Sequence, residues 1–213
     1  CKSILVKEVF FKGEAYKLQN LLAEKGLNVD IVSNQSSAEP FIELRFDPLI
    51  KGEEIYKLEV TSNLITVSAS TSHGIFNGIQ TLDRLMRDGS FVDACKITDW
   101  PAFSWRGYMV DAARNYQSIQ LLKQQIEIMS KYKLNIFHFH ITEDIAWRLA
   151  VKQYPQLTAE DNMLRNRGRY YSEADMNELI SFCKERYITF IPEIDMPGHS
   201  AAFTRGMKTD MQS

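Results

Sequence analysis

The chain is short of cysteine. Cys1, Cys95 and Cys183 are far apart and odd in number, which fits neither a disulfide framework nor a zinc knuckle with its close paired ligands. Long apolar runs are missing too. None approaches the roughly 20 residues that a membrane-spanning helix needs, so no span is expected. Neither sign of charge dominates: 25 Lys and Arg against 27 Asp and Glu leave a formal charge of −2, and nucleic acid is not an expected partner. Internal repeats and low-complexity tracts are absent. Gly74 and Gly78 stand four apart without a following Lys-Ser or Lys-Thr, so no phosphate loop is read there. No secretory leader is recognisable, because Cys1-Lys2-Ser3 passes at once into mixed sequence. A lipid anchor on Cys1 and a cut from a longer protein would each leave a cysteine there.

What is present is ordinary globular composition, 45% hydrophobic and 24% charged over 213 residues, enough for one large or two small domains. Residues 1–98 read as an α+β domain. Ala15 to Lys25 carries Leu18, Leu21 and Leu22 on one face and stops at Gly26. Ile42, Leu44 and Phe46, then Tyr56, Leu58 and Val60, alternate with polar residues, and Leu64 to Ala69 follows. Such runs predict hairpins with one solvated face. A helix with Ile75, Ile79, Leu82 and Met86 on one face closes the domain, with Asp88-Gly89 as its stop.

Asp99-Trp100-Pro101 reads as a hinge, and residues 99–213 follow another grammar. Strands are expected over Trp105–Asp111, Asn135–Ile141 and Ile188–Asp195. A Ser118-capped helix to about Tyr132 and a helix opened by Ser172 and Asp175 lie between them. Cys183 falls on the apolar face of the second helix. This alternation predicts a parallel sheet. Pro192 removes a ladder donor from its strand and speaks against a central place for it.

Polar residues collect after these strands. The first leads to Asp111 and Arg114, the second to His140, Glu143-Asp144 and Trp147-Arg148, and the third to Asp195 and His199. Glu193 and Asp195 are two apart and share a face of an extended chain; Pro197-Gly198 then turns the chain toward His199. Acids, bases and an aromatic at three strand ends suggest one pocket at the C-terminal face of the sheet. The plainer alternative is a set of solvated loop charges. His138-x-His140 can bind zinc on a strand, but a third ligand must come from elsewhere. The expectation is therefore no metal and no cofactor, with one histidine packed and the other on a carboxylate.

Together these segments resemble glycoside hydrolase family 20, the β-N-acetylhexosaminidases. The resemblance rests on Trp105-Arg106-Gly107 with Asp111 and Arg114, Tyr132-Lys133-Leu134-Asn135 into His138-Phe139-His140, and Glu143-Asp144 with Trp147-Arg148. Tyr154-Pro155 and Pro192-Glu193-Ile194-Asp195-Met196-Pro197-Gly198-His199 complete it, and residues 72–86 look like the end of the family's preceding small domain. It implies an α+β domain followed by α/β, the first strands of a truncated (β/α)8 TIM barrel. It implies a β-linked N-acetylhexosaminide glycan as substrate, attacked by its own 2-acetamido oxygen in a retaining reaction, and a secreted, periplasmic or cell-surface setting. Among site residues it implies that Arg106, Asp144 and Trp147 contact the sugar. Glu143 and His199 would support the general acid.

The sequence departs from the family pattern in two ways. Glu143-Asp144-Ile145-Ala146 stands where Asp-Asp-Gln-Gly is usual, and no Asp-Glu dipeptide, the family's catalytic pair, occurs in these 213 residues. These residues alone are therefore expected to be inactive, and either to belong to a longer chain or to self-associate through open strand edges. The other reading is a non-catalytic carbohydrate-binding or assembly protein on the same scaffold.

Overall fold

The computed structural model describes residues 1–34, 39–86 and 91–210, with backbone alone at 209 and 210. It divides into two units, Cys1–Ser104 and Trp105–Ser213.

In the first unit the elements run β1 (Ser3–Val6), α1 (Lys12–Glu24), β2 (Asp30–Val32), β3 (Phe41–Phe46), β4 (Tyr56–Val60), β5 (Leu64–Ala69), α2 (Ser72–Leu85) and β6 (Cys95–Asp99). The strands form one sheet in the order β2-β1-β3-β5-β4-β6. The alternating runs are strands, but only some make hairpins. β4 pairs antiparallel with β5, whereas β3 lies parallel to both β1 and β5. Alternation records which face is buried and is silent about the neighbour's direction.

α1 buries Leu18 and Leu22 and ends at Gly26, whose φ of 79° is the left-handed turn that glycine adopts without strain. On α2, Thr71 Oγ1 accepts from the Gly74 amide at 2.9 Å, and Ile75, Ile79 and Leu82 face the sheet. The expected stop at Asp88-Gly89 lies outside the described residues. Gly74 and Gly78 let this helix approach closely: a Cβ on Gly74 would lie 2.5 Å from the Ile55 carbonyl oxygen, and one on Gly78 would lie 2.4 Å from Val67 Cγ1. Overpacking of this kind costs about 1–3 kcal/mol, so Gly78→Ala is expected to lower the urea midpoint. Adding Val67→Ala should recover part of the loss.

The second unit holds β7 (Gly107–Asp111), α3 (Ile119–Lys131), β8 (Ile136–His140), α4 (Glu173–Lys184), β9 (Thr189–Glu193) and α5 (Ala201–Asp210). All three strands are parallel, in the order β7-β8-β9. Ser118 caps α3 through the Leu121 amide at 3.3 Å. Ser172 and Asp175 cap α4 reciprocally, at 2.8 and 3.1 Å. Pro192 sits in β9 and does not interrupt its parallel pairing with β8.

Alternation gives the sheet two distinct faces. Val110, Phe137 and Phe139 face α3 and α4 and pack with Leu122, Ile126, Leu179 and Cys183. The other face shows two registered rows: Met109, His138 and Ile191, then Asp111, His140 and Glu193 nearer the strand ends.

Candidate active site

The loops after β7 and β8 are held to each other by main chain. The Ala112 and Ala113 amides both donate to the His140 carbonyl, at 3.1 and 3.3 Å, and the Arg148 amide donates to the Ile141 carbonyl at 3.0 Å. Arg148 is 0% exposed. Its guanidinium donates to the carbonyls of Ala113, Arg165, Asn166 and Arg169, at 2.8–3.3 Å. No carboxylate faces it among the described residues. Burial pushes its pKa down, yet a guanidinium keeps its charge in proteins. The loop through residues 165–169 is thus pinned by one cation.

On this base sits an ion-paired cluster. Glu143 is 4% exposed. Its Oε1 receives Arg114 Nη2 at 2.5 Å and His199 Nδ1 at 2.5 Å. Its Oε2 accepts from the Asp144 and Ile145 amides, the latter at 3.3 Å. The extra methylene of Glu lets the carboxylate fold back on its own loop and still reach the histidine. Arg114 also binds Asp111, by Nη1 to Oδ2 at 2.5 Å and by its amide to Oδ1 at 2.9 Å. Arg114 Nη2 lies 3.4 Å from His199 Nδ1, but arginine only donates. The shorter contact to Glu143 therefore fixes Nδ1 as an N–H donor and leaves Nε2 to act on something else. His199 has a φ of 52°, a left-handed conformation that costs a non-glycine residue energy and clusters at functional sites.

Burial works to raise the Asp111 carboxyl, but the Arg114 amide and guanidinium outweigh it and hold the group below its ordinary range. A depressed carboxyl stabilises the fold above its unfolded value, about 3.9, and that contribution vanishes as pH falls through the folded value. Asp111→Asn is expected to lower the melting temperature by a constant amount above about pH 5, with the gap to the unsubstituted chain closing below about pH 4.

The structure brings Asp111, Arg114, His140, Glu143, Asp195 and His199 to one end of the sheet, and Asp144 beside them. It does not bring Arg106. That side chain sits at the opposite end of β7, where Nε donates to the Lys133 carbonyl at 2.8 Å and the Arg106 amide donates to Asn135 Oδ1 at 2.9 Å. Five extended residues, roughly 16 Å, separate it from Asp111. Arg114 supplies the guanidinium at the strand ends instead. Trp147 is likewise no stacking surface. It is 6% exposed, its indole N–H donates to the Leu149 carbonyl at 2.6 Å, and Leu157, Ala202 and Phe203 pack on it. Asp144 uses Oδ1 to accept from the Ala201 amide at the start of α5, at 2.9 Å. Both histidines of β8 contact Glu193, His140 Nδ1 at 2.7 Å. One histidine was expected to pack and the other to meet a carboxylate; His140 is buried and meets the same carboxylate as the more exposed His138. Arg148 was read with Trp147 among the polar residues after the second strand, with a solvated loop charge as the plainer alternative, and nothing in its spacing distinguishes a buried clamp from a solvated one.

A small mixed-sheet domain followed by parallel strands with acids and a histidine at their C-terminal ends is the architecture of an α+β domain joined to the first strands of an α/β barrel. The model of the glycosyl hydrolase family 20 catalytic domain matches residues 103–213, and that of the family's domain 2 matches residues 2–100. The chain belongs to glycosyl hydrolase family 20. It is 37% identical to a beta-hexosaminidase of Porphyromonas gingivalis over 70% of this chain and 21% of that one. It is 32% identical to a beta-N-acetylhexosaminidase of Cellulomonas fimi over 84% of this chain and 38% of that one. The beta-N-acetylhexosaminidase structure from Streptomyces coelicolor superposes with a TM-score of 0.85 at 29% identity, covering 95% of this chain and 43% of that one. The Vibrio harveyi exo beta-N-acetylglucosaminidase bound to N-acetylglucosamine gives 0.82 at 29%, covering 98% and 35%. The chain thus spans between 21% and 43% of the length of the relatives named.

Proposed function

We propose that the protein to which these residues belong removes terminal β-linked N-acetylhexosamine, with the sugar's 2-acetamido oxygen as nucleophile. The observation that carries this reading is the single Glu143 oxygen held by both Arg114 and His199 at 2.5 Å. Glu143 fixes the imidazole, and His199 Nε2 then orients the carboxyl that protonates the leaving oxygen, a group supplied by chain beyond this stretch. Arg114 is half-exposed and keeps N–H donors beyond the two it spends on Asp111 and Glu143. Its planar fork suits a pair of vicinal sugar hydroxyls. It takes the role that the family pattern had suggested for Arg106.

The test compares two proteins and two substrates. The longer protein should release chromophore from an aryl β-N-acetylglucosaminide, and should not do so from the matching β-glucoside, which lacks the assisting amide. The 213-residue chain alone contains no Asp-Glu pair and should give a blank. Equal turnover of both substrates counts against assistance by the substrate, and turnover by the short chain counts against an acid supplied from elsewhere.

A further inference from the structure

Next to the Glu143–His199 pair lies a second polar group that the proposed reaction does not use. His138 and His140 of β8 contact different oxygens of Glu193, His140 Nδ1 lying 2.7 Å from Oε1. The Asp195 carboxyl approaches that of Glu193. A ring nitrogen of His140 and one carboxylate oxygen from each acid all lie within 4.8 Å of one another. We infer that these residues form a binding site for a divalent transition-metal ion, with His140, Glu193 and Asp195 as ligands and His138 as the adjoining fourth donor.

Three observations support the site. The first is distance. Bonds of about 2.0–2.2 Å place two ligands of one zinc ion at most roughly 4 Å apart, so the observed spacing closes with under about 1 Å of side-chain movement. The second is charge. Of two adjacent carboxyls only that of Glu193 is met by imidazoles, and no lysine or arginine contacts either of them among the described residues. A divalent ion would supply the missing positive charge. The third is an orphan. His140 is 4% exposed, and its Nε2 is buried without a hydrogen-bond partner among the described residues. Buried polar atoms rarely stay unmatched. Parallel pairing fixes the frame, since His140 and Glu193 are register partners on adjacent strands. Mixed nitrogen and oxygen donors favour Zn²⁺ and Co²⁺ over Mg²⁺ and Ca²⁺.

The experiment uses this chain and needs no catalytic activity, so it stands or falls apart from the hexosaminidase reading. Cys1 and Cys95 are replaced by serine, which removes the thiols that are not buried. Co²⁺ is titrated while its visible d–d absorption is followed, and Zn²⁺ is added to compete. One Co²⁺ per chain is expected, displaced by Zn²⁺ and unaffected by equal Mg²⁺. His140→Asn and Glu193→Gln should each weaken binding by at least about tenfold. His73→Asn, at the other histidine beside acids (Glu53 and Glu54), should leave binding unchanged. In the chain with its histidines intact, bound Co²⁺ should broaden the imidazole NMR signals of His138 and His140 and spare that of His73. That measurement decides the matter if a variant fails to fold. No d–d band, equal loss in His73→Asn, unaltered affinity in both ligand variants, or broadening confined to other histidines overturns the site.

Discussion

Glu143→Gln in the longer enzyme is expected to lower kcat about 10- to 100-fold with little change in KM, the size seen when a group that orients a working residue is lost. The amide still fills the space and can still accept from the Ile145 amide. It no longer offers a charge to Arg114 and His199, which now share one oxygen of Glu143. Glu143→Asp keeps the charge and gives up reach. An aspartate at this position cannot hold its own loop amides and the histidine in the same way, so its kcat should fall between those of Glu and Gln. Arg114→Ala should behave oppositely and act mainly on KM, because the guanidinium is proposed to touch the sugar and Glu143 is not. Steady-state kinetics on the three variants separates these roles. A Gln variant with unchanged kcat removes Glu143 from the machinery.

Arg148→Leu is expected to destabilise the second unit by at least about 4 kcal/mol, since four carbonyls lose their donor and each buried group left unmatched costs about 1–3 kcal/mol. Domains hold only about 5–15 kcal/mol in all, so this unit should be close to unfolding at room temperature. Arg148→Lys should recover less than half of the loss. A compact ammonium cannot span carbonyls contributed by Ala113, Arg165, Asn166 and Arg169. Trp147 lies next in sequence and is buried in this unit, so its fluorescence during urea unfolding reports the change. A variant that unfolds at the unaltered midpoint would show that water replaces the guanidinium at little cost.

Much of the second unit was legible because its periodicities are clean. The alternation of Phe137 and Phe139 with His138 and His140 announces both a strand and which residues leave the core, and Ser172 with Asp175 announces a helix start. The first unit was less legible. β1 is four residues long and nearly all buried, and β2 has three residues; neither is long enough to display a period. The direction of β3 depends on partners remote in sequence, which a hairpin reading based on neighbouring runs cannot supply. In the site, Asp111, Arg114, Glu143 and His199 could be gathered because each ends or follows a strand. Arg106 matches the family motif but lies five extended residues back from Asp111, and its side chain here rests on the Lys133 carbonyl at that far end. Trp147 was misread for a different reason. Its cover comes from Leu157 and from Ala202 and Phe203 on α5, a helix that had not been anticipated, and whether an indole is a wall or a filling depends on what lies over it.

The cation at Arg148 is solvated by peptide oxygens and the Met163 sulfur, which have no proton to gain anywhere between gastric acidity and strong alkali. Acid that protonates Asp111 therefore leaves this latch closed. Ionisation at the strand ends and integrity of the loop beneath them are set by separate chemistries, so a chain taken to low pH and returned to neutrality should not have to refold that loop.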